Sequence, residues 1–197
     1  MDRYSELPLT VYAFHGCDAE VAERVFAGEI DLVQSTNKYD WLGSGVYFWE
    51  NAPARALRWA QDAQRRHPDR IRRPAVVGAI VSLGRCLNLM DKASNLVLSE
   101  TYSQIQDVLS AERSKGHTVN MPSNHGKNHD LDALVINISH ETAAKVKGRP
   151  FDTVRAAFIE GDPVFPGSSI MSDTHIQLCV RDPAKSVLAY FRPRLAF

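Results

Sequence analysis

Asp40-Trp41-Leu42-Gly43-Ser44-Gly45-Val46-Tyr47-Phe48-Trp49-Glu50 decides how this chain is read. Two glycines around one serine make a turn. The Val46–Trp49 run behind it is β-branched and aromatic, the composition of a strand. Asn51 then offers a side-chain cap and Pro53 a first-turn proline, which predicts a helix through Ala56, Trp59 and Ala63. Upstream, Leu9–Phe14 reads as a strand that stops at His15-Gly16-Cys17-Asp18. Ala19, Val21, Ala22, Val25 and Phe26 follow at helical spacing, with Gly28 as C-cap.

Further along, Ala75–Leu83 is a continuous apolar run behind Pro74, so a strand buried on both faces is expected. Leu96–Arg113 reads as a helix with Leu96, Tyr102, Ile105, Val108 and Leu109 on one side. Lys115–Asp130 is rich in Gly, Asn, His, Pro and Ser and reads as a loop. Strands are expected at Leu131–Ile138, Asp152–Glu160, His175–Arg181 and Ser186–Arg192, with turns at Gly161–Pro163 and Pro166–Ser169. No repeat or linker divides the 197 residues, so the expectation is one α+β domain with a strand-rich second half.

Composition narrows the class. With 44% apolar and 23% charged residues the chain is of ordinary globular make-up, which excludes wholesale disorder, collagen and coiled coil. Lys+Arg and Asp+Glu are both 23, so no global field draws in nucleic acid or an anionic membrane. Cys17, Cys86 and Cys179 are widely spaced and form no CxxC pattern, which suits reduced thiols in the cytoplasm. Met1–Glu6 has no apolar signal core, and the longest apolar runs fall short of the ~20 residues of a membrane helix. A soluble, cytoplasmic protein without membrane contact is expected.

Three pieces carry chemistry, in order: Phe14-His15-Gly16 at a strand end, Gly43-x-Gly45-Val46-Tyr47-Phe48 leading to Ala56, and His175-Ile176-Gln177-Leu178-Cys179-Val180 near the end. This order resembles the PARP-like, diphtheria-toxin-related branch of the ADP-ribosyltransferases, the His-Tyr-Glu group. It is most similar to small bacterial members, through Tyr39–Glu50 followed by Arg55-Ala56 and Trp59-Ala60. The resemblance implies a split antiparallel β-core with surrounding helices. It also implies NAD as co-substrate and mono-ADP-ribosylation of a macromolecular acceptor, nucleic acid slightly ahead of protein. By the same resemblance His15 would bond the adenosine ribose, the Gly16 backbone would grip the nicotinamide amide, and Tyr47 would stack on its ring. Gly45 and Ala56 would line the cofactor site, and Cys17 would stand where the family has a Ser or Thr contacting nicotinamide. An intracellular toxin, paired with an antitoxin or serving antiphage defence, is the role this suggests.

The chemistry explains those types. Cleavage of the nicotinamide–ribose bond develops positive charge on the ribose, which must be oriented and stabilised. Anchored on Val187-Leu188-Ala189-Tyr190, the family's catalytic Glu falls on Gln177, which accepts a hydrogen bond but carries no charge and is no base. Chain elongation is therefore not expected. Glu160, ahead of the Gly161–Ser172 loop that would meet the acceptor, is a candidate for the missing carboxylate; a solvated turn residue is the alternative. Arg155 could pair with Glu160 or Asp162, or meet a phosphate.

Arg55–Arg73 holds seven Arg against Asp62 and Asp69, a local excess of +5. That stretch reads as a surface for nucleic acid, an acidic antitoxin or the NAD pyrophosphate, or else as a solvated helix face, with Arg55 and Arg58 toward the cleft. His125-x3-His129 has metal-ligand spacing but sits in a loop, so no metal is expected. Cys17 near His15 lacks an orienting Asp or Asn for a thiol hydrolase. Two alternatives stay open: a non-catalytic NAD or ADP-ribose binding module, favoured by Gln177, and an NAD glycohydrolase using water as acceptor.

Overall fold

The computed structural model describes residues 10–37, 40–125 and 128–194; Leu9 and Tyr39 of the sequence reading lie outside them. Its elements in chain order are β1 (Thr10–Asp18), α1 (Ala19–Phe26), β2 (Val46–Glu50), α2 (Pro53–Arg66), β3 (Pro74–Ser82), β4 (Cys86–Asn88), α3 (Lys92–Ser114), α4 (Asp130–Lys147), β5 (Thr153–Phe158), β6 (His175–Val180), α5 (Pro183–Ser186) and β7 (Val187–Phe191). The strands form one sheet in the order β4-β5-β6-β2-β1-β3-β7, antiparallel except for the β4–β5 pair. The class is α+β.

The sheet is evenly zipped except at its centre. β1 pairs with β3 over its whole length, from Thr10↔Ser82 to Asp18↔Pro74. β2 likewise pairs with β6 from Val46↔Val180 to Glu50↔Ile176. Between β1 and β2, however, only Ala13↔Glu50 and Phe14↔Trp49 are partners. The two halves are joined there and part beyond Phe14. β1 itself does not stop at His15 as its sequence suggested; its ladder to β3 carries it through Gly16 and Cys17 to Asp18. The Asp18 carboxylate then caps α1 by accepting from Glu20 N–H at 2.8 Å.

One side of the central strands builds the main core from Ala13, Cys17, Val46, Phe48, Val77, Ala79, Leu178 and Val180, closed by Ala22 and Val25 of α1. α2 lies against β1 through a stripe of buried small residues, Ala56, Ala60 and Ala63. That stripe allows a close approach. A Cβ added to Gly16 would stand 2.2 Å from the Ala56 carbonyl oxygen and 3.2 Å from the Ala60 Cβ. Asn51 is not the cap of α2: Ala52 holds that position, and Asn51 at φ 51° donates its backbone N–H to Tyr12 O at 2.9 Å.

Leu131–Ile138 is helical, not extended. In α4 the buried Ala133, Ile136, Ser139 and Ala143 recur every three or four residues, the period of a helix face. Asp130 and Asp132 favour its N-terminus, Asn124 Oδ1 accepts from Leu131 N–H at 3.1 Å, and Gly148 closes it in the left-handed conformation. The inward face of α3 is only partly the expected one: Ile105 and Leu109 are half-buried on it. Val97 and Leu98 pack inward and Thr101 is buried, donor-bridged from Ser139 Oγ at 2.9 Å, while Leu96 and Val108 stand exposed.

Gly16→Ala should be costly, because the obstructing atom is helix backbone and not a side chain that can swing away. A loss of about 2–3 kcal/mol is expected, read as a lowered urea midpoint at unchanged m-value; an unaltered midpoint would contradict the α2–β1 packing.

Candidate functional site

The gap between β1 and β2 is built by the first two motifs. Tyr12 O accepts from Asn51 N–H, so the even-numbered residues of β1 turn their backbone polar groups toward β2. Continuing the register would set Gly16 opposite Tyr47, but the ladder ends at Phe14. Instead the His15 side chain enters the gap. Its Nδ1–H donates to the Tyr47 carbonyl at 2.8 Å, and its ring meets Phe48 edge-on at 5.8 Å. The ring thereby occupies the carbonyl that Gly16 would have used and leaves the Gly16 edge without a β2 partner. Burial holds the His15 pKa below its ordinary 6.5, only partly offset by that carbonyl.

The Gly43–Gly45 turn positions Tyr47. Gly43 adopts φ 76°, and a Cβ there would meet Asn137 Oδ1 at 2.5 Å. That same oxygen accepts from Ser44 N–H at 3.1 Å and from Arg181 at 2.7 Å, which ties the turn to α4 and the end of β6. The Tyr47 hydroxyl donates to Gly43 O at 2.7 Å and accepts from Leu42 N–H at 2.9 Å. Held in this way and half-buried, its phenol is pushed to a pKa well above the ordinary value, chiefly by desolvation. Tyr47 is a rigid neutral ring, not an acid or base.

Across β2, Tyr47 faces Cys179 and Trp49 faces Gln177, so all four share one face of the sheet. Phe158 faces His175 on the next pair. Gln177 Nε2 lies 3.1 Å from His175 Nε2, and His175 Nδ1–H donates to Asp173 O at 2.6 Å. From α2, Arg55 binds Glu160 at 2.7 Å and stands 5.8 Å from the Trp49 ring centre, while Arg58 pairs with Asp173. Two buried donors in this cluster, Trp49 Nε1 and Arg55 Nε, have no hydrogen-bond partner among the described residues. Buried donors are ordinarily satisfied, so these two are exceptions within the cluster, and both are closed to solvent.

The structure therefore brings His15, Gly16 and Tyr47 to one gap, and sets Gln177, Glu160, Arg55 and Arg58 beside it. Glu160 is not a free carboxylate, since Arg55 holds it. Gly16 and Ala56 serve packing as well: they are the contact between β1 and α2. Gly45 backs onto β6, where a Cβ would meet Cys179 Sγ at 2.5 Å and Val180 O at 2.6 Å. Cys17 is buried in the main core, where desolvation raises its pKa to about 12, which removes it as a nucleophile.

Arg155 pairs with neither Glu160 nor Asp162. It grips Glu50 in two bonds of 2.6 and 2.7 Å on the other face of the sheet. His129 opens α4 with Nδ1 3.3 Å from Asp132 and its ring against Trp41, and among the described residues no His/Cys/Asp/Glu group could hold a metal ion. Sequence reasoning missed Trp49 and His175. The signal for His175 was available: it is two residues from Gln177 on a strand, hence on the same face.

No family model matches the chain, and comparisons with curated proteins and with solved structures returned no match. Among the described residues no helix is long and apolar enough to cross a membrane.

Folding keeps His15 neutral, so the unfolded chain binds its proton first as pH falls. Stability present above pH 6.5 is lost progressively below it. The urea midpoint should decline as the pH falls below 6.5, and His15→Gln should decline less steeply; equal slopes would place the titration elsewhere, on His140 or His175, whose pKa values burial also lowers.

Proposed function

We propose that this chain is an NAD-dependent mono-ADP-ribosyltransferase with the split β-core of that fold. The observation that carries the reading is the interrupted β1–β2 ladder, with His15 inserted and the Gly16 edge left unpaired beside Tyr47. A primary carboxamide offers one acceptor and two donors in a plane, which a strand edge with one N–H and one C=O can bind as a neighbouring strand would. The nicotinamide amide lies along Gly16, its ring against Tyr47. Tyr47 is fixed by two hydrogen bonds, so little freedom is lost when a flat ring packs on it.

In the reaction the C1′–N bond to nicotinamide breaks, and the bonding pair leaves with the neutral ring. The acceptor forms the new bond to C1′ and gives up its proton to solvent water. Gln177 contributes an amide oxygen to a ribose hydroxyl. The Arg55–Glu160 pair holds a carboxylate near the developing cation with its charge largely compensated. Arg65, Arg66, Arg70, Arg72 and Arg73, exposed at and beyond the far end of α2, favour a nucleic-acid acceptor or an acidic antitoxin over a neutral protein surface. A cytoplasmic toxin of antiphage defence is the setting this chemistry suits. One observation favours a second reading, an NAD or ADP-ribose binding module or slow NAD glycohydrolase: neither Gln177 nor the Arg55-bound Glu160 supplies a free negative charge.

NAD titration and nicotinamide release decide between them. His15→Ala and Tyr47→Ala should each weaken NAD binding about tenfold or more, while Gln177→Glu should accelerate nicotinamide release. Full binding and turnover in both alanine variants would overturn the site, and binding without release in every protein would favour the module.

A further inference from the structure

An amide in place of a carboxylate raises a problem of direction. A carboxylate presents two acceptor oxygens and no donor, so either orientation serves a ribose hydroxyl. Glutamine has one acceptor and one donor group on the same carbon, and the wrong rotation turns N–H toward a hydroxyl that must itself donate. A site that uses Gln177 as acceptor therefore needs something to fix the amide.

His175 has that geometry. Its Nδ1 lies 2.6 Å from the Asp173 carbonyl oxygen. A carbonyl only accepts, so the proton of the neutral imidazole resides on Nδ1. Nε2 is then a bare lone pair. The Gln177 nitrogen, 3.1 Å away, is the group that can donate to it. With the amide nitrogen held on the His175 side, the oxygen is directed away from His175. His175 is in turn fixed: it is buried, its ring stacks on Phe158 at 5.8 Å and 24°, and Asp173 is anchored by Arg58 from α2 and by its own N–H to Glu160 O at 3.0 Å.

We propose that His175 is a positioning residue that orients the Gln177 amide, so that its oxygen faces the ribose hydroxyl of the substrate. This rests on the transferase reading above. It also gives the site a proton-dependent state. Protonated His175 would carry hydrogen on both nitrogens, and its Nε2–H would call for the amide oxygen instead, rotating Gln177 into its unproductive orientation. The charged groups acting on the ring are Arg55 from α2, Glu160 beyond β5, and Asp173 on its own strand's approach. Burial, the largest influence, and Arg55 favour the neutral ring, whereas the Asp173 carbonyl and the two carboxylates favour the charged one, with a net downward displacement from 6.5. Activity is therefore retained at neutral pH and falls at a pH below 6.5, where both His175 and His15 take up a proton.

The test is a double-mutant cycle on full-length protein, measuring nicotinamide release from NAD. His175→Phe keeps an aromatic ring but removes the acceptor. In the wild-type background it should lower kcat about tenfold with little change in KM, and make the acidic fall in the pH profile shallower, His15 accounting for what remains. In a Gln177→Glu background, where no orientation is needed, the same substitution should cost less than about twofold. An equal loss in both backgrounds overturns the proposal and leaves His175 a packing residue. Nitrogen NMR of the unmutated protein provides a readout independent of turnover and of the variants' folding. A proton on Nδ1, with the Gln177 side-chain amide shifting as His175 titrates, supports the arrangement; a proton on Nε2 overturns it whatever NAD does. Failure of all four proteins to bind or cleave NAD would instead overturn the transferase reading, with the tautomer still reporting whether the amide is oriented.

Discussion

Everything at the centre of this molecule follows from a ladder that stops. β1 and β2 begin as ordinary antiparallel neighbours and part after Phe14, because the His15 ring takes the Tyr47 carbonyl that the next backbone N–H would have taken. Two neighbours enforce the parting. On one face Phe48 and the main core receive the ring edge. On the other, α2 presses its Ala56 carbonyl so close to β1 that only glycine fits at position 16. An unpaired backbone edge inside a sheet is costly unless something binds it. The fold thus creates a hydrogen-bonding slot beside a fixed aromatic ring.

Beside that slot, and on the opposite face of the sheet behind it, charges are arranged in pairs. Arg55 holds Glu160, Arg58 holds Asp173, and Arg155 holds Glu50. The Arg55–Glu160 pair is partly exposed, so its Coulombic strength is screened and its value lies in geometry. It fixes the approach of α2 to the β5–β6 connection, and it keeps a carboxylate within reach of His175 without leaving it uncompensated. The Glu50–Arg155 pair is better shielded and bidentate, which joins β2 to β5 across β6. Three elements that carry site residues are thus locked to one another by charge-assisted bonds.

The parts of the fold legible in the sequence were those with a local signal. β2, α2 and β3 follow from an aromatic run, a first-turn proline and a continuous apolar stretch. His15, Tyr47 and Gln177 were candidates through the family resemblance that the motif order carries, and the structure sets His15 against the Tyr47 carbonyl. What was not legible depended on partners distant in sequence. Leu131–Ile138 has strand-like composition, and only its burial against α3 and the sheet reveals the three-to-four residue period; Asp130, Asp132 and Gly148 were the available end signals. The extension of β1 through Gly16 is set by β3, more than fifty residues away. The role of Gly16 as a packing contact, the capture of Glu160 by Arg55 and the His175–Gln177 bond all arise between elements, where no sequence pattern records them.

The central claim is that the unpaired edge of Gly16 is the binding surface for the amide of NAD. It is tested most directly by amide NMR of the isotopically labelled chain during titration with NAD and with nicotinamide alone. The account predicts that both ligands shift the Gly16 backbone amide, and that NAD in addition shifts the Trp49 indole N–H and the Gln177 side-chain amide. Unmoved Gly16 and Trp49 resonances at saturating NAD, or shifts confined to the distant Arg85, Arg149 and Lys185 surface, would contradict it.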